Sequence, residues 1–219
     1  MFPGSRAWFL AISIAAIAAS PATAGPPSPD DSTVPCGINL VGTRGGVADA
    51  RGEFVILPRD LAQNVIVGCE VVVDFCAGGA SPGLCLSLSQ PDPDVVEVDP
   101  DGCWVRGFVT SYDGLKLTLV GYAVTASTGS TSSPLIYGDG TNLTMPWPPV
   151  IVGTFDFDGA QGVAPTDISR WLTDSFAPEY RARADYDCSR TVTPVDLAKL
   201  LDVSLAGGSQ TSAANTLCH

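Results

Sequence analysis

One stretch of this chain is written twice. Asp156-Phe-Asp158-Gly-Ala160-Gln-Gly162-Val163-Ala-Pro165-Thr-Asp167 runs into Ile168-Ser-Arg-Trp171-Leu172. Twenty-nine residues on, Asp185-Tyr-Asp187-Cys188-Ser189-Arg-Thr191-Val192-Thr193-Pro194-Val-Asp196 runs into Leu197-Ala-Lys-Leu200-Leu201. The same offset relates the opening acids, Asp156 and Asp185, and the closing acids, Asp167 and Asp196. The apolar residues after each loop, Ile168, Trp171, Leu172 and Phe176 against Leu197, Leu200, Leu201 and Leu205, fall at the i, i+3, i+4 spacing of a helix face. A single Asp-x-Asp turn is an ordinary solvated surface turn. Two in one register, each leading straight into an amphipathic helix, specify a loop–helix unit built twice.

The acids sit where a loop wrapped round a hard cation needs them. Ca2+ takes six to eight oxygens at about 2.3–2.6 Å, and a 12-residue loop of the EF-hand type supplies them from positions 1, 3, 5, 7 (through a carbonyl) and 12. In the second loop Asp185, Asp187 and Ser189 fall at 1, 3 and 5, Thr191 offers its carbonyl at 7, and Asp196 closes at 12. Thr193 is a favourable helix N-cap, with Pro194 at the first helical position and Asp196 at the third. In the first loop Asp156, Asp158 and Asp167 hold 1, 3 and 12, and the Gly162 carbonyl is available at 7. Ala160 at position 5 offers no ligand, so water takes its place. Gln161 and Arg190 occupy position 6, where a positive φ is usual and costs a non-glycine residue about 1 kcal/mol. The expectation is two Ca2+ sites, the second tighter than the first. The backbone of Val192 is expected to hydrogen-bond its counterpart, Val163, in the other loop.

Upstream, Arg6 followed by an apolar run from Trp8 to Ala19 and by Ala22-Thr-Ala24 reads as a signal peptide, residues 1–24, with Gly25 beginning the mature chain. The run is shorter than the roughly 20 apolar residues of a membrane span, and no later stretch is long enough, so no membrane insertion is expected after cleavage. Formal net charge is −12, and of 23 acids only four are Glu (Glu53, Glu70, Glu97 and Glu179). That balance excludes nucleic acid and anionic membrane as partners, since both need clustered Lys and Arg. The seven cysteines, without a Cys-x-x-Cys and with His219 as the one histidine, argue against a zinc site and for disulfides in a secreted chain. Spacing suggests Cys188 with Cys218 and Cys76 with Cys85. Cys36, Cys69 and Cys103 stay unassigned, and with an odd count one thiol is free, buried or shared between chains.

Residues 25–35 are Pro-rich and expected to be extended and mobile outside the core. From 36 to 150 the pattern is all-β: apolar runs at Phe54–Leu57, Val65–Val67, Val71–Phe75, Leu84–Ser89, Val95–Val98, Cys103–Val109 and Leu115–Val120, and a last strand near Leu135. Gly, Pro and Asp turns separate them at intervals of roughly ten residues, which argues for a β-sandwich. Asp113-Gly114 is a hairpin signal. Met145-Pro-Trp-Pro-Pro149 is a stiff connector that marks a boundary near 150, leaving a loop–helix module at 151–206 and a tail at 207–219.

Two resemblances follow from these residues. Pro58-Arg-Asp60 through Val71-Val-Val-Asp-Phe75, with Thr110-Ser-Tyr-Asp113-Gly114-Leu-Lys-Leu117-Thr-Leu119 later, resembles bacterial immunoglobulin-like domains of the invasin/intimin type. That likeness implies a stalk or adhesion module without catalytic residues. The doubled D-x-[DN]-x-[DS]-x-x-V-x-x-x-D-L pattern over 153–206, without the entering helix of a full EF-hand, resembles type I dockerins. It implies a small all-α module that folds with Ca2+ and binds a cohesin-like module, through loop positions 10 and 11: here Pro165 and Thr166, and Pro194 and Val195. The alternative is a sandwich that binds carbohydrate or a surface, with Trp104, Tyr112, Tyr122, Tyr137 and Trp147 lining a polysaccharide face and the calcium tail purely structural. Catalysis is not expected. The four Glu are scattered rather than paired as glycosidase chemistry requires, and Gly-x-Ser-x-Gly and nucleotide loops are absent. Asp92, Asp94, Glu97, Asp99 and Asp101 read as a solvated acidic turn.

Overall fold

A computed structural model describes residues 25–76, 83–124, 135–138, 141–142, 150–160, 162–205 and 216–218. The signal peptide 1–24, the Ser/Thr loop 127–133, the connector 145–149, Gln161 and most of the 207–219 tail lie outside the described residues. Among the described residues the protein is mainly β, with two short α-helices. In chain order the strands are β1 (Gly37–Leu40), β2 (Thr43–Arg44), β3 (Val47–Ala48), β4 (Phe54–Ile56), β5 (Glu70–Asp74), β6 (Leu84–Ser87) and β7 (Val95–Val98). Then come β8 (Trp104–Phe108), β9 (Leu115–Leu117), β10 (Gly121–Ala123), β11 (Leu135–Gly138), β12 (Thr141–Asn142), β13 (Ile151–Thr154) and, after the helices, β14 (Thr216–Cys218). The helices are α1 (Pro165–Ser175) and α2 (Pro194–Leu205), with 3-10 turns at Ala50–Gly52 and Ala182–Ala184.

Period-two alternation decides how the strands face. In β5, Val71 and Val73 are buried while Glu70, Val72 and Asp74 are partly exposed. β5 is central in an antiparallel sheet of order β12-β11-β5-β8-β7, with Val73 opposite Val105 and Val71 opposite Gly107. The inward residues of that sheet share one core with Phe54 and Ile56 of β4, Leu115 and Leu117 of β9, Ile38 and Leu40 of β1, and Leu84 and Leu86 of β6. A side chain at Gly107 would collide with the Asp94 carbonyl and crowd Leu115, so the Leu115 side chain packs directly on β8 at this glycine.

Several expectations are corrected here. The Asp113-Gly114 turn forms, with Gly114 at φ +90° and its N–H bonded to the Ser111 carbonyl at 3.2 Å, but it makes no hairpin. Both edges of β8 are already taken by β5 and β7, so β9 pairs instead with β4 in a separate two-stranded sheet. Val65–Val67 is no strand; Val65 makes only an isolated bridge to Arg59. The Pro-rich segment after residue 25 is docked, not mobile. The Ser28 N–H donates to the Arg59 carbonyl at 2.7 Å, Thr33 and Leu57 exchange hydrogen bonds at 2.9 and 2.8 Å, and Val34 enters the core.

The disulfides also differ from the expected pairs. Cys188 joins Cys36, Cys76 joins Cys103 and Cys85 joins Cys218, while Cys69 is buried and takes part in none of these three pairs. Register explains two of them. Asp74 lies opposite Trp104, so Cys76 and Cys103 flank one end of the β5–β8 ladder. β14 lies along β6 with Cys218 directly opposite Cys85. Sequence spacing favours nearer partners because it carries no information on these pairings.

The C-terminal half is fastened to the β body. The boundary expected near 150 falls at the start of β13, which pairs in parallel with β1 and contributes Val152 to the main core. A second core of Val41, Phe155, Phe157, Val163, Trp171, Ala184, Tyr186, Leu200 and Val203 lies beneath the paired loops. The helix faces are thereby redrawn: Trp171, Leu200 and Val203 are buried, whereas Phe176 is 84% and Leu205 76% exposed. Arg183, itself buried, ties the halves together. It pairs with buried Asp174 at 2.6 Å, donates to the carbonyls of Ala123 and Val124, and lies 4.7 Å over the Phe157 ring. Arg183→Met strands the Asp174 charge and is expected to cost about 3–5 kcal/mol in urea unfolding. The double variant Asp174→Leu/Arg183→Met should recover most of that loss, because both buried charges go together.

Candidate metal centre

Each loop gathers its three carboxylates at one point. Oxygens of Asp156, Asp158 and Asp167 all lie within 4.8 Å of one another, and so do those of Asp185, Asp187 and Asp196. In each trio the first and last acids are buried (Asp156 and Asp167; Asp185 and Asp196) and the middle one is partly exposed.

The backbone holds the closing and middle acids the same way in both clusters and the opening acids differently. The N–H of loop position 2 (Phe157, Tyr186) donates to Oδ1 of the closing acid at 2.7 Å in each loop. The N–H of the residue before the helix (Ala164, Thr193) donates to the other oxygen at 2.7 and 2.8 Å. The middle acid accepts from the N–H two residues on, Asp158 from Ala160 at 2.9 Å and Asp187 from Ser189 at 3.0 Å. Asp156 takes the N–H groups of Asp158 and Gly159, and Asp185 those of Ser189 and Arg190. Both helices start with proline at the first position, as expected for Pro194, and the Thr193 hydroxyl caps α2 by accepting from the Val195 N–H at 3.2 Å. Ala164 has no such group to offer α1, so there the Asp167 carboxylate alone reaches back.

Position 4 is left-handed in both loops, Gly159 at φ +70° and Cys188 at +61°. Arg190, at position 6 of the second loop, takes the strained φ of +62°. Among the described residues of the first loop Gly162, at position 7, is also left-handed, at φ +69°. Gly159 packs against the Tyr122 ring so closely that no side chain fits there. Tyr122 is thus engaged by the loop and does not stand on an open aromatic face. The expected Val163–Val192 backbone bond is not made. Both side chains instead contribute to the second core, and the second loop is drawn to the β body by Tyr186, whose hydroxyl donates to the Thr154 carbonyl at 2.8 Å, and by Cys188.

The remaining predicted residues are placed as follows. The Ser189 hydroxyl donates to the Thr191 carbonyl at 2.9 Å, so the ligands expected at positions 5 and 7 are neighbours. Gly162 is buried within its loop. Pro165, Thr166, Pro194 and Val195 lie at the helix starts, where Thr166 and Val195 of the two copies occupy equivalent positions. Three supporting residues were missed. Arg170 donates to the Phe157 carbonyl and Lys199 to the Tyr186 carbonyl, each at 2.8 Å. These pairs obey the same 29-residue offset, a signal present in the sequence. Tyr180, whose hydroxyl donates to Asp185 Oδ2 at 2.7 Å, has no counterpart in the repeat.

Electrostatics favours a cation. Burial, reinforced by Asp167 and Asp158, pushes the Asp156 carboxyl up to about 6 against the pull of two backbone N–H groups. Burial likewise raises Asp167 and Asp185. Asp187, at the surface, is lowered by its hydrogen bonds to Ser189. Arg170 approaches Asp158 at 3.4 Å, and among the described residues no ion pair reaches the second trio. All-oxygen donor sets with several carboxylates suit a hard divalent ion. The residues present therefore fit Ca2+: each trio would supply carboxylate oxygens, with Ser189 and the carbonyls of Thr191 and Gly162 available to complete the shells. Comparisons with protein-family models, with curated proteins and with solved structures find no match to this chain.

With metal removed by chelator, the raised Asp156 binds its proton more tightly folded than unfolded. Its contribution is fully present below the ordinary carboxylate value and is lost as pH rises through about 6. The urea midpoint in excess chelator should therefore be less favourable at neutral pH for the wild type than for Asp156→Asn, and the gap should close in acid. Arg190→Gly should raise stability by up to about 1 kcal/mol in the same assay, since glycine adopts the left-handed φ without strain.

Proposed function

We propose that this chain is a secreted, non-catalytic calcium-binding protein in which Ca2+ orders the paired loops, and in which the loop–helix unit presents its helix starts to another secreted or surface protein. The observation that carries the reading is the duplicated carboxylate trio, whose middle and closing acids accept from equivalent backbone N–H groups in both loops. Three disulfides suit an oxidising compartment, and no described helix is long and apolar enough to cross a membrane. A dockerin-like role, with a cohesin-like partner, is supported by the loop duplication and by the placement of Pro165, Thr166, Pro194 and Val195 at equivalent helix starts.

The second reading, in which the calcium unit serves chiefly to stabilise an immunoglobulin-like or carbohydrate-binding β body, has its own support. Cys36–Cys188 ties the second loop to that body, and Cys85–Cys218 ties down the strand that follows the helices. A freestanding docking module would not need such ties.

Calorimetry of the whole chain with CaCl2 tests the shared premise. Two binding events are expected, the tighter weakened roughly tenfold or more by Asp196→Asn and the weaker by Asp167→Asn. No heat and no change in helical circular dichroism on adding Ca2+ would refute calcium binding. If Ca2+ binds, surface substitutions at Thr166 and Val195 separate the readings. They should abolish capture of a cohesin-like module while leaving the calcium isotherm unchanged; binding to polysaccharide that survives both changes supports the second reading.

A further inference from the structure

The docked segment at the start of the described chain delivers Gly25 to a buried carboxylate. Pro27 and Ser28 are buried, the Ser28 N–H is bonded to the Arg59 carbonyl, and the Gly25 nitrogen lies 3.4 Å from Asp60 Oδ2. Asp60 is 7% exposed. Its other partners are neutral: the N–H groups of Ala62 and Asn64 at 2.9 Å, and the Asn64 side-chain amide at 3.2 and 3.3 Å. The adjacent Arg59 guanidinium is engaged at the Gln63 carbonyl, 2.7 Å away, and among the described residues no Lys or Arg forms an ion pair with Asp60. A carboxylate this enclosed is ordinarily matched by a cation.

The cation is available from the sequence itself. Ala22-Thr-Ala24 precedes Gly25 with the small residues that a signal peptidase accepts. We propose that cleavage between Ala24 and Gly25 creates an α-ammonium that pairs with Asp60, so that processing completes a charge pair the precursor lacks. Hydrolysis of the Ala24–Gly25 amide consumes one water: hydroxyl goes to the Ala24 carbonyl carbon and the proton to the Gly25 nitrogen, which takes a second proton from solvent at neutral pH. An amide N–H that donated a long, neutral hydrogen bond becomes a charged donor on the same acceptor. The inference rests on the secretory reading above, which already begins the mature chain at Gly25, and adds to it a structural role for the new terminus.

The test uses the full-length precursor expressed in a secreting host. Intact mass is expected to place the N-terminus at Gly25. The purified protein is then labelled at its α-amine with an acylating reagent near neutral pH. Pairing with Asp60 holds the amine protonated, so the wild type should label about three- to tenfold more slowly than Asp60→Asn. It should also label more slowly than the same protein unfolded in urea, a comparison that needs no variant. Labelling should lower the melting temperature of the wild type but not of Asp60→Asn, which keeps the acceptor for Ala62 and Asn64. A chain that retains Met1 overturns the secretory reading and the inference together. Cleavage elsewhere overturns the assignment of Gly25 alone. A Gly25 terminus that labels equally fast in wild type, variant and urea refutes the ion pair and leaves secretion standing.

Discussion

Six carboxylates in two tight trios are the constraint on which the C-terminal half depends. Two unit charges 4.8 Å apart repel by about 3 kcal/mol at an effective dielectric near 20, and each trio contains three such pairs. The helix starts offset little of this, since a carboxylate at a helix N-terminus gains about 0.3–1 kcal/mol. Backbone N–H groups hold the closing acids in position, but they are neutral and few. Without a cation the folded loops keep like charges together at a net cost, which partial protonation of Asp156 only relieves. A divalent ion placed among the three carboxylates turns that mutual repulsion into shared attraction, and this is why the repeat reads as a metal device rather than as two polar turns.

The surroundings hold the trios together against that repulsion. Cys36–Cys188 closes a separation of 152 residues, which in the chain-entropy view is worth about 5 kcal/mol against the unfolded chain. It enters the second loop at position 4, between Asp187 and Ser189, so it restrains the ligand-bearing segment itself. Arg183 secures the segment just before the same loop, and the Phe155–Tyr186 ring contact, centroids 4.5 Å apart, secures its opening turn. The loop thus does not depend on metal alone for its shape.

The repeat was legible because it is local: ligand spacing, proline at both helix starts and the 29-residue offset are all contained within one short span. Extending the offset would also have found Arg170 and Lys199. What was not legible depends on pairing across the chain. The β1–β13 ladder, β14 against β6 and all three disulfide pairs link residues 27 to 152 positions apart, and their local patterns are ordinary. Asp113-Gly114 predicted a turn correctly and its partner strands wrongly, since turn chemistry says nothing about which edges β5 and β7 have already occupied. Phe176 and Leu205 kept the helical period and still face outward, because the second core ends at Val203 on one helix and Trp171 on the other. The Pro-rich start was misjudged on composition, as its order comes from backbone hydrogen bonds to residues 57–59.

The two loops share their ligands' geometry but not their support, and this difference sets what metal binding does in each. The second loop is covalently tied and carries the full set of expected donors, so its shape is largely fixed beforehand and the energy of binding an ion there would go into affinity. The first loop has Ala160 at position 5 and rests by Gly159 on the Tyr122 ring, whose hydroxyl in turn lies 3.3 Å from Thr216 on β14. Order in that loop is therefore shared with the strand that Cys218 anchors to β6. Metal bound in the second loop would act on a site already held; metal bound in the first would act on a contact that reaches the chain's C-terminal strand. A duplicated sequence has in this way become one fixed site and one coupled to the body around it.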